Sequence, residues 1–504
     1  MLSLAKIRDV AVALGYYTEE IELGREEYYS GEGDVLGRWV GRAAPTAGFD
    51  GPVVAGSLEH LLRGAGLRRP VRDGAVAGID LTFKAPKSVG LLWGIADAET
   101  AAQLGAAHDD AVAAALEYME REACRARRGA GGAIQVRGEG FIAAAFRHAS
   151  SRAGDPLLHT HVVAGNLTLG PDGKWTALDA RHLYRHALTG GYLYQAELRR
   201  GITERLGLQW GPVEKGAADL VGVSRPVIDH FSQRQKQMRE HMAEHGGRSP
   251  QSAQIAVLET RQAKSSVTLN VHREQWRSRA AEHGLGATEV ARALEPVNHA
   301  LPLVQTVTPR SLTEKRSVFG RAELLQALAA AQPQGSSIAE LERLADAVLA
   351  GPELVALPHG KVAAGLTEAR YTTVELLEIE QDLVDRAMRG LHRDVTFTGA
   401  HRVDSALEGR TLSPEQRKVV VNLCSGGEGV SVVRAPAGTG KTFVLDAARE
   451  AWQSADIEVL GCALSARAAL ELNDQTAIPS TTIAQLDRSA RGRRDPAARR
   501  SARR

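Results

Sequence analysis

The sequence predicts an α+β fold, with an antiparallel sheet and flanking helices in its first part. Two apolar segments, 140–148 and 158–163, are separated by a Gly-Asp-Pro turn and are predicted to pair as a hairpin. Helical apolar spacing over 97–127 and 183–206 predicts long helices that flank the sheet. A helical segment follows, and a glycine-rich stretch from Ala435 to Thr442 then predicts a partial P-loop α/β domain.

Three histidines are predicted to converge on one face of this hairpin. Because side chains alternate along a strand, His159 and His161 project from the same side. If the two segments pair, His148 falls roughly opposite His159. Imidazole nitrogen is a common ligand for divalent transition metals, and three ligands from one side leave positions open for substrate. The pattern therefore predicts a metal site, against the alternative of isolated polar residues on a solvated sheet face.

The N-terminal segment combines a short strand at residues 1–7 with a helical pattern that we expect Gly15 to end. Two tyrosine pairs follow in a chain with only nine tyrosines: Tyr16, Tyr17, Tyr28 and Tyr29. Aromatic pairs often serve only to pack. Beside a metal site, however, a phenolic oxygen is a competent nucleophile for a metal-held phosphate. The tyrosines are therefore candidate catalytic residues.

Residues 78–84 alternate as a strand, on which Asp80, Thr82 and Lys84 share one face. If that face also carries the histidines, the Asp80 carboxylate could orient a ligand imidazole. It could instead accept the proton of a tyrosine. The simpler alternative is a solvated strand residue. Beyond Pro86, the sequence predicts a helix or a buried segment that starts near Ser88.

Composition limits the classes of protein that the chain can belong to. The net charge of +2 gives no global signature of nucleic-acid binding, so any such surface must be local. Clustered basic residues at 231–239 and 260–266 are candidate phosphate contacts, although such runs are more often solvated helix faces. Three widely spaced cysteines argue against a disulfide framework. Without an apolar run of membrane-spanning length or a signal peptide, the chain is predicted to be cytoplasmic.

Changes in sequence pattern predict four segments. A domain over residues 1–300 contains the histidine site, and a helical connecting segment covers 301–394. The partial P-loop domain covers 395–487, and a basic tail that we expect to be disordered covers 488–504.

Residues 430–434 are predicted to form a buried strand that leads into the phosphate-binding loop. Backbone N–H groups of this loop would surround phosphates at a helix N-terminus, the lysine would reach the β and γ phosphates, and Thr442 would ligate Mg²⁺. No acidic strand end and no second motor lobe follow, so the motor is predicted to be incomplete. The loop residues predicted to bind nucleotide are Gly438, Thr439, Gly440, Lys441 and Thr442.

In combination, these motifs resemble conjugative relaxases of the MobF class, the TrwC/TraI type, with their HUH-type histidine site. The resemblance covers about residues 1–290 and extends more loosely to a RecD-like helicase start at 395–487. It rests on the tyrosine pairs, on Gly-Ile-Asp-Leu-Thr-Phe-Lys-Ala-Pro-Lys-Ser at 78–88, on Phe-Arg-His at 146–148 and on Asp-Pro-Leu-Leu-His-Thr-His at 155–161. Thr-Arg-Gln-Ala-Lys-Ser at 260–265 also fits. Gln416 stands where that helicase class places its adenine-reading glutamine.

The resemblance implies a site- and strand-specific DNA transesterase that nicks one strand at a transfer origin. A divalent cation (magnesium, manganese or zinc) would polarise the scissile phosphate, Tyr16 would attack it, and a 5′-phosphotyrosyl link would result. Tyr17 or the second tyrosine pair would take part in resealing. The candidate DNA contacts are Lys87, Arg261 and Lys264.

The implied partners are single-stranded DNA at the transfer origin and other transfer proteins, including type IV secretion and coupling proteins. ATP with magnesium is a further candidate ligand. Two alternatives remain open at this point. One is an inactive DNA- and nucleotide-binding remnant of a relaxase-helicase, and the other is a protein that acts mainly as a P-loop ATPase.

Overall fold

The structure is a computed structural model of the chain and falls into two compact units, Met1–Glu375 and Leu376–Arg504. No helix among the described residues is both long and apolar enough to cross a membrane. The described residues are 1–17, 37–54, 56–67, 71–72, 74–129, 134–151, 153–244, 269–295, 306–358, 369–391, 398–436 and 438–494.

A five-stranded sheet forms the centre of the first unit, and all of its neighbouring strands are antiparallel. Its spatial order is β1-β3-β7-β6-β2, which confirms the predicted α+β class. The strands are β1 (Leu2–Ile7), β2 (Arg38–Val40), β3 (Gly78–Lys84), β6 (Ala143–Ser150) and β7 (Pro156–Gly165). The predicted hairpin is β6–β7, and His148 pairs directly with His159.

Helices cover one face of this sheet. The inward side chains Ile79, Leu81 and Phe83 of β3 are fully buried there, in one core with the long helices. Asp97 caps the first long helix by accepting a hydrogen bond from the Thr100 N–H at 2.8 Å. The helices on this face are α3 (Lys87–Ile95), α4 (Ala98–Ala123) and α5 (Ala180–Leu206). Both predicted long helices are therefore present, but the first ends at Ala123, because residues 125–128 form a strand and not the predicted last turn of the helix.

The opposite face carries the histidines, and we call it the site face. A short helix, α1 (residues 10–17), packs on it, with Ala13 and Tyr17 buried against Phe146 and Val163. The expectation that Gly15 ends this helix was wrong. A helical glycine costs about 1 kcal/mol relative to alanine, and the burial of Tyr17 one half-turn later offsets that cost.

Smaller elements complete the region around the sheet. One hairpin joins β8 (Thr168–Leu169) to β9 (Trp175–Thr176), and a second joins β4 (Arg125–Arg128) to β5 (Ile134–Arg137). A short helix, α2 (Ser57–Leu62), follows β2 in the chain. Five helices follow α5 among the described residues of this unit up to residue 313: α6 (Arg225–His230), α7 (Gln233–Glu244), α8 (Leu269–Glu282), α9 (Ala287–Leu294) and α10 (Pro309–Thr313).

The segment predicted to be a helical connection contains a small antiparallel sheet as well as helices. Its strands have two to four residues, too short for a periodic signal. The strand Arg370–Thr373 lies between Phe319–Gly320 and Leu354–Leu357 and is antiparallel to both. Phe319, Leu324 and Leu341 belong to the same buried core as the central sheet. The elements are β10 (Phe319–Gly320), α11 (Arg321–Ala330), α12 (Ile338–Leu349), β11 (Leu354–Leu357) and β12 (Arg370–Thr373).

The second unit begins within α13 (Val374–Arg389) and has its own small core, which includes Val420, Val444 and Ala447. The predicted strand at 430–434 was wrong, because these residues form no strand and the Val432 side chain is 89% exposed. A parallel strand is buried only when neighbouring strands flank it, and none pairs with it among the described residues. The elements are α14 (Ala400–Leu407), α15 (Pro414–Ser425), α16 (Lys441–Ser454), β13 (Gly461–Ala463), α17 (Ala466–Thr476), β14 (Ser480–Thr482) and α18 (Ile483–Arg494).

The basic segment 488–504 was expected to be disordered, but its first residues are helical. Residues 488–494 form the last turns of α18, since alanine and arginine both favour helix. The remainder of the tail, 495–504, lies outside the described residues.

Candidate active site

The three histidines meet on the site face as the hairpin register requires. Their candidate ligand nitrogens all lie within 4.8 Å of one another. All three side chains are buried, with His161 the most accessible at 8%. Since the donors are three imidazoles brought together from one side, the set fits a divalent transition metal with coordination positions left for a substrate.

Hydrogen bonds orient two of these rings. His159 Nδ1 donates to the Leu157 carbonyl at 2.8 Å, and His161 Nδ1 donates to Asp80 Oδ2 at 2.7 Å. A carbonyl and a carboxylate can only accept, so each Nδ1 carries a proton, and in the neutral ring Nε2 then holds the lone pair. Both rings are therefore in the tautomer that can bind a metal through Nε2.

The surroundings of His159 favour its neutral ring. Burial lowers the pKa of His159 well below its usual value, and the neighbouring His148 and His161 lower it further. Only a neutral imidazole can bind a metal. Protons therefore compete weakly for this ligand near neutral pH.

Helix α1 brings both N-terminal tyrosines to the histidines. Tyr16 Oη lies 3.4 Å from His161 Nε2, and the Tyr16 ring is 5.7 Å from the His148 ring between centroids. Tyr16 is half-buried. In contrast, Tyr17 is 4% exposed and its ring stacks on Phe146 at 5.4 Å between centroids. The two adjacent phenols thus occupy different environments.

Asp80 joins Tyr17 to the histidine cluster. Its Oδ2 accepts a hydrogen bond from Tyr17 Oη at 2.9 Å and the bond from His161 Nδ1 described above. Thr82 donates to Asp80 Oδ1 at 3.2 Å. Of the two roles considered from sequence, this geometry favours orientation of His161.

A further buried histidine, outside the cluster of three, contacts strand β7 from the opposite face of the sheet, and sequence reasoning missed it. His108 on α4 hydrogen-bonds to Thr160 Oγ1 at 2.8 Å through Nε2 and to Tyr194 Oη at 2.8 Å through Nδ1. Thr160 lies between His159 and His161 but points to the opposite face. Burial lowers the pKa of His108 to about 3, and Arg147 contributes to the shift. A lone histidine in a helix gives no sequence signal for this contact.

Two lysines near the site differ in their surroundings. Lys87 Nζ donates to the Pro156 carbonyl at 2.9 Å, and burial lowers its pKa to about 8. Lys84 is exposed and pairs directly with His159 across β3 and β7. Partial desolvation lowers the pKa of Lys84, and the Asp80 carboxylate opposes this shift. Four other residues predicted for the site lie outside the described residues: Tyr28, Tyr29, Arg261 and Lys264.

The second unit contains the predicted phosphate-binding loop at the N-terminus of α16. Gly438 and Gly440 have φ values of 78° and 77°, a conformation that favours glycine. Lys441 Nζ donates to the carbonyls of Ala435 and Pro436, each at 2.8 Å. Gln416 Nε2 donates to the Thr439 carbonyl at 3.0 Å, which places the glutamine beside the loop. Thr442 follows Lys441 in the first turn of α16.

Comparison with known proteins decides the family. Residues 11–283, more than half of the chain, match the model of the TrwC relaxase family. The chain belongs to this family. The match confirms the resemblance inferred from the sequence motifs. A second match, to an AAA domain, covers residues 411–502 of this relaxase and includes the phosphate-binding loop.

Relatives of this relaxase include two named conjugation proteins. The multifunctional conjugation protein TraI of Escherichia coli K12 is 28% identical over 424 residues, which are 79% of this chain and 21% of TraI. The probable conjugal transfer protein TraA of Sinorhizobium fredii is 29% identical over 143 residues, which are 28% of this chain and 13% of TraA. The relaxase chain thus spans about a fifth of the length of TraI.

Solved structures of the conjugative relaxase TrwC are also similar. TrwC in complex with oriT DNA, in a metal-bound structure, is 33% identical and has a TM-score of 0.49. The match covers 56% of this chain and 99% of TrwC. A copper-bound structure of the same complex is 34% identical, with the same TM-score and coverage.

Proposed function

We propose that this protein nicks one strand of DNA at a transfer origin and starts conjugative transfer. The observation that supports this most directly is the position of Tyr16 Oη, 3.4 Å from His161 Nε2 in a three-histidine cluster. The printed names of the relatives agree, since TrwC is described in complex with oriT DNA and TraI as a conjugation protein.

In the reaction, Tyr16 Oη attacks the phosphorus of one phosphodiester. A bond forms between Oη and phosphorus, the bond from phosphorus to the 3′ oxygen breaks, and the 3′ oxygen leaves as a hydroxyl. The phenol gives up one proton and the leaving oxygen gains one, so the exchange is balanced. Because one phosphoester replaces another, the step needs no ATP and can run in reverse.

His148, His159 and His161 would hold the divalent cation. When bound, the cation would act as a Lewis acid on the phosphate where negative charge grows. Asp80 keeps His161 in the tautomer with a free Nε2, and Tyr17 holds Asp80 in turn. Tyr17, Tyr28 or Tyr29 would serve the resealing step, and Lys87, Arg261 and Lys264 would contact DNA.

The P-loop segment is proposed to bind ATP with magnesium through Gln416 and residues 438–442. On this proposal the nicking domain covers 1–300, the connection 301–394, the partial P-loop domain 395–487 and the basic tail 488–504. The partners would be single-stranded origin DNA and other transfer and secretion-coupling proteins.

The test is covalent capture of DNA. Wild-type protein is incubated with labelled single-stranded DNA from the transfer origin of the element that carries the gene, with Mg²⁺ or Mn²⁺, and resolved on a denaturing gel. A labelled protein–DNA adduct is expected with wild type and none with Tyr16→Phe. Undiminished adduct with Tyr16→Phe would reject that nucleophile. ATP turnover with no adduct from wild type would favour an ATPase instead.

A further inference from the structure

We infer that Lys84 is a DNA-phosphate contact at the edge of the histidine site. The inference rests on the proposed function and deepens it, because it assigns a cationic side chain of this chain to the DNA strand seated at the cluster. It starts from the strand register, which fixes the face that each residue of β3 presents.

Lys84 lies on the site face. In the β3–β7 pair, Thr82 is opposite His161 and Lys84 is opposite His159. Directly opposite residues of an antiparallel pair share a face, with Cβ atoms about 5 Å apart. The 3.3 Å contact between Thr82 Oγ1 and His161 Nδ1 shows that the rule holds at this place in the sheet. Asp80, Thr82 and Lys84 therefore form one row of side chains along β3, and all three lie on the site face.

The row changes from buried to exposed at Lys84. Asp80 and Thr82 are each 6% exposed, whereas Lys84 is the exposed last residue of β3. A DNA strand that reaches the buried histidine cluster approaches through an accessible edge. A lysine at that edge next to His159 is placed to meet a phosphate on the way to Tyr16.

The backbone of Lys84 is fixed while its ammonium is available. Its N–H donates to the Met1 carbonyl at 2.9 Å, and its carbonyl accepts a hydrogen bond from the buried Gln195 amide at 3.0 Å. Within the described part of the chain, the Lys84 ammonium makes no hydrogen bond or ion pair. Other cationic side chains near the sheet do form such contacts; Arg147, for example, donates a hydrogen bond to Asp109 at 3.1 Å.

Charge makes the contact favourable. The Asp80 carboxylate lies against the cluster, where it repels a phosphodiester. An ammonium on the same face offsets that carboxylate and attracts the DNA backbone as a point charge. Each phosphate contact of this kind releases counterions, so the contact has a measurable signature in the salt dependence of binding.

The chain supplies a matched control. Lys6 is an exposed lysine of β1 in the same sheet, but it pairs with Ile79 and so belongs to the opposite face. Its ammonium lies 5.5 Å from the centroid of the Tyr184 ring. Lys6→Met removes the same charge from the same sheet without touching the site face.

The experiment measures binding rather than cleavage. All variants carry Tyr16→Phe, EDTA is present, and the affinity for a mixed-sequence single-stranded DNA oligonucleotide is measured by fluorescence anisotropy over a salt series. For single-stranded DNA, loss of one phosphate contact reduces the slope of log affinity against log salt by about 0.7. We expect that reduction in Lys84→Met, the parental slope in Lys6→Met and a restored slope in Lys84→Arg.

Equal slopes for Lys84→Met and its parent would overturn the inference while leaving the proposed nicking function intact. If the parental protein binds no single-stranded DNA at all, the proposed function fails, and the Lys84 contact fails with it. Thermal melting of each variant shows whether it is folded. If Lys84→Met melts at a lower temperature than its parent, Lys84→Gln is measured instead. A reduced salt slope then supports the contact and an equal slope overturns it.

Discussion

Asp80 Oδ2 accepts a hydrogen bond from His161 Nδ1 at 2.7 Å, and this contact connects the third strand of the chain to the histidine cluster. Both side chains are largely buried, so water competes little for the bond. The contact fixes which nitrogen of His161 faces the site, and we propose that Asp80 positions this ring for metal binding.

Asp80→Asn is expected to weaken metal binding about 10- to 100-fold, because the ring loses the carboxylate that orients it and raises its basicity. Titration calorimetry with Mn²⁺ or Zn²⁺ measures the affinity. Glu117→Gln, a change of an exposed carboxylate on α4, serves as the control. Equal affinity in Asp80→Asn and wild type would contradict the role given to Asp80.

Tyr17→Phe separates the two adjacent phenols. The phenylalanine ring keeps the stack on Phe146 and loses only the hydrogen bond to Asp80. A hydrogen bond to a charged group is worth roughly 1.5 kcal/mol, so adduct formation should slow by about tenfold without being abolished. The rate of adduct formation on a denaturing gel measures this. Complete loss of adduct would mean that Tyr17 itself is needed for attack.

His108 predicts a dependence of stability on pH. Its pKa is about 3 in the folded protein against 6.5 as a reference, so folding favours the neutral ring. The contribution is fully present above pH 6.5 and is lost as the pH falls from 6.5 toward 3, at up to about 1.4 kcal/mol per pH unit. Urea unfolding of metal-free protein over this range should show the loss.

The matched variant for this prediction is His108→Gln, whose amide can still bond to both Thr160 and Tyr194. Because glutamine does not titrate, the fall in unfolding free energy with pH should become shallower by the contribution of one group. Identical pH slopes for the variant and wild type would show that His108 does not titrate as its burial implies.

Lys441→Ala tests the second unit independently. Lys441 lies in the loop where it would reach the phosphates of a nucleotide, so its removal should abolish binding of a fluorescent ATP analogue. Formation of the tyrosyl adduct on single-stranded DNA should be unchanged, because the transesterification needs no ATP. Retained ATP binding in Lys441→Ala would reject the loop as the nucleotide site.

Several of these relationships follow from sequence pattern alone. The register that pairs His148 with His159 follows from two apolar segments and a turn, because strand alternation leaves few other ways to bury one face. The shared face of Asp80 and Lys84 follows from the same alternation. Local sequence pattern was sufficient to predict long helices and strands in which apolar and polar residues strictly alternate.

Contacts between distant elements could not be predicted in this way. Nothing in the sequence around His108 indicates that it meets Thr160, 52 positions away. The continuation of α1 through Gly15 depends on the burial of Tyr17, which local propensity does not describe. The exposed segment at 430–434 shows the opposite error, because its apolar pattern predicted a strand that is not present. An apolar pattern forms a strand only where neighbouring strands pair with it.

The most direct test of the account is to locate the nucleotide on the protein. After reaction with single-stranded origin DNA and nuclease trimming, trypsin separates the two tyrosine pairs into peptides 9–25 and 26–38. Fragmentation of the first peptide distinguishes Tyr16 from Tyr17. The account predicts a nucleotide on Tyr16, and a nucleotide carried on Tyr17, Tyr28 or Tyr29 in the cleaving step would contradict it.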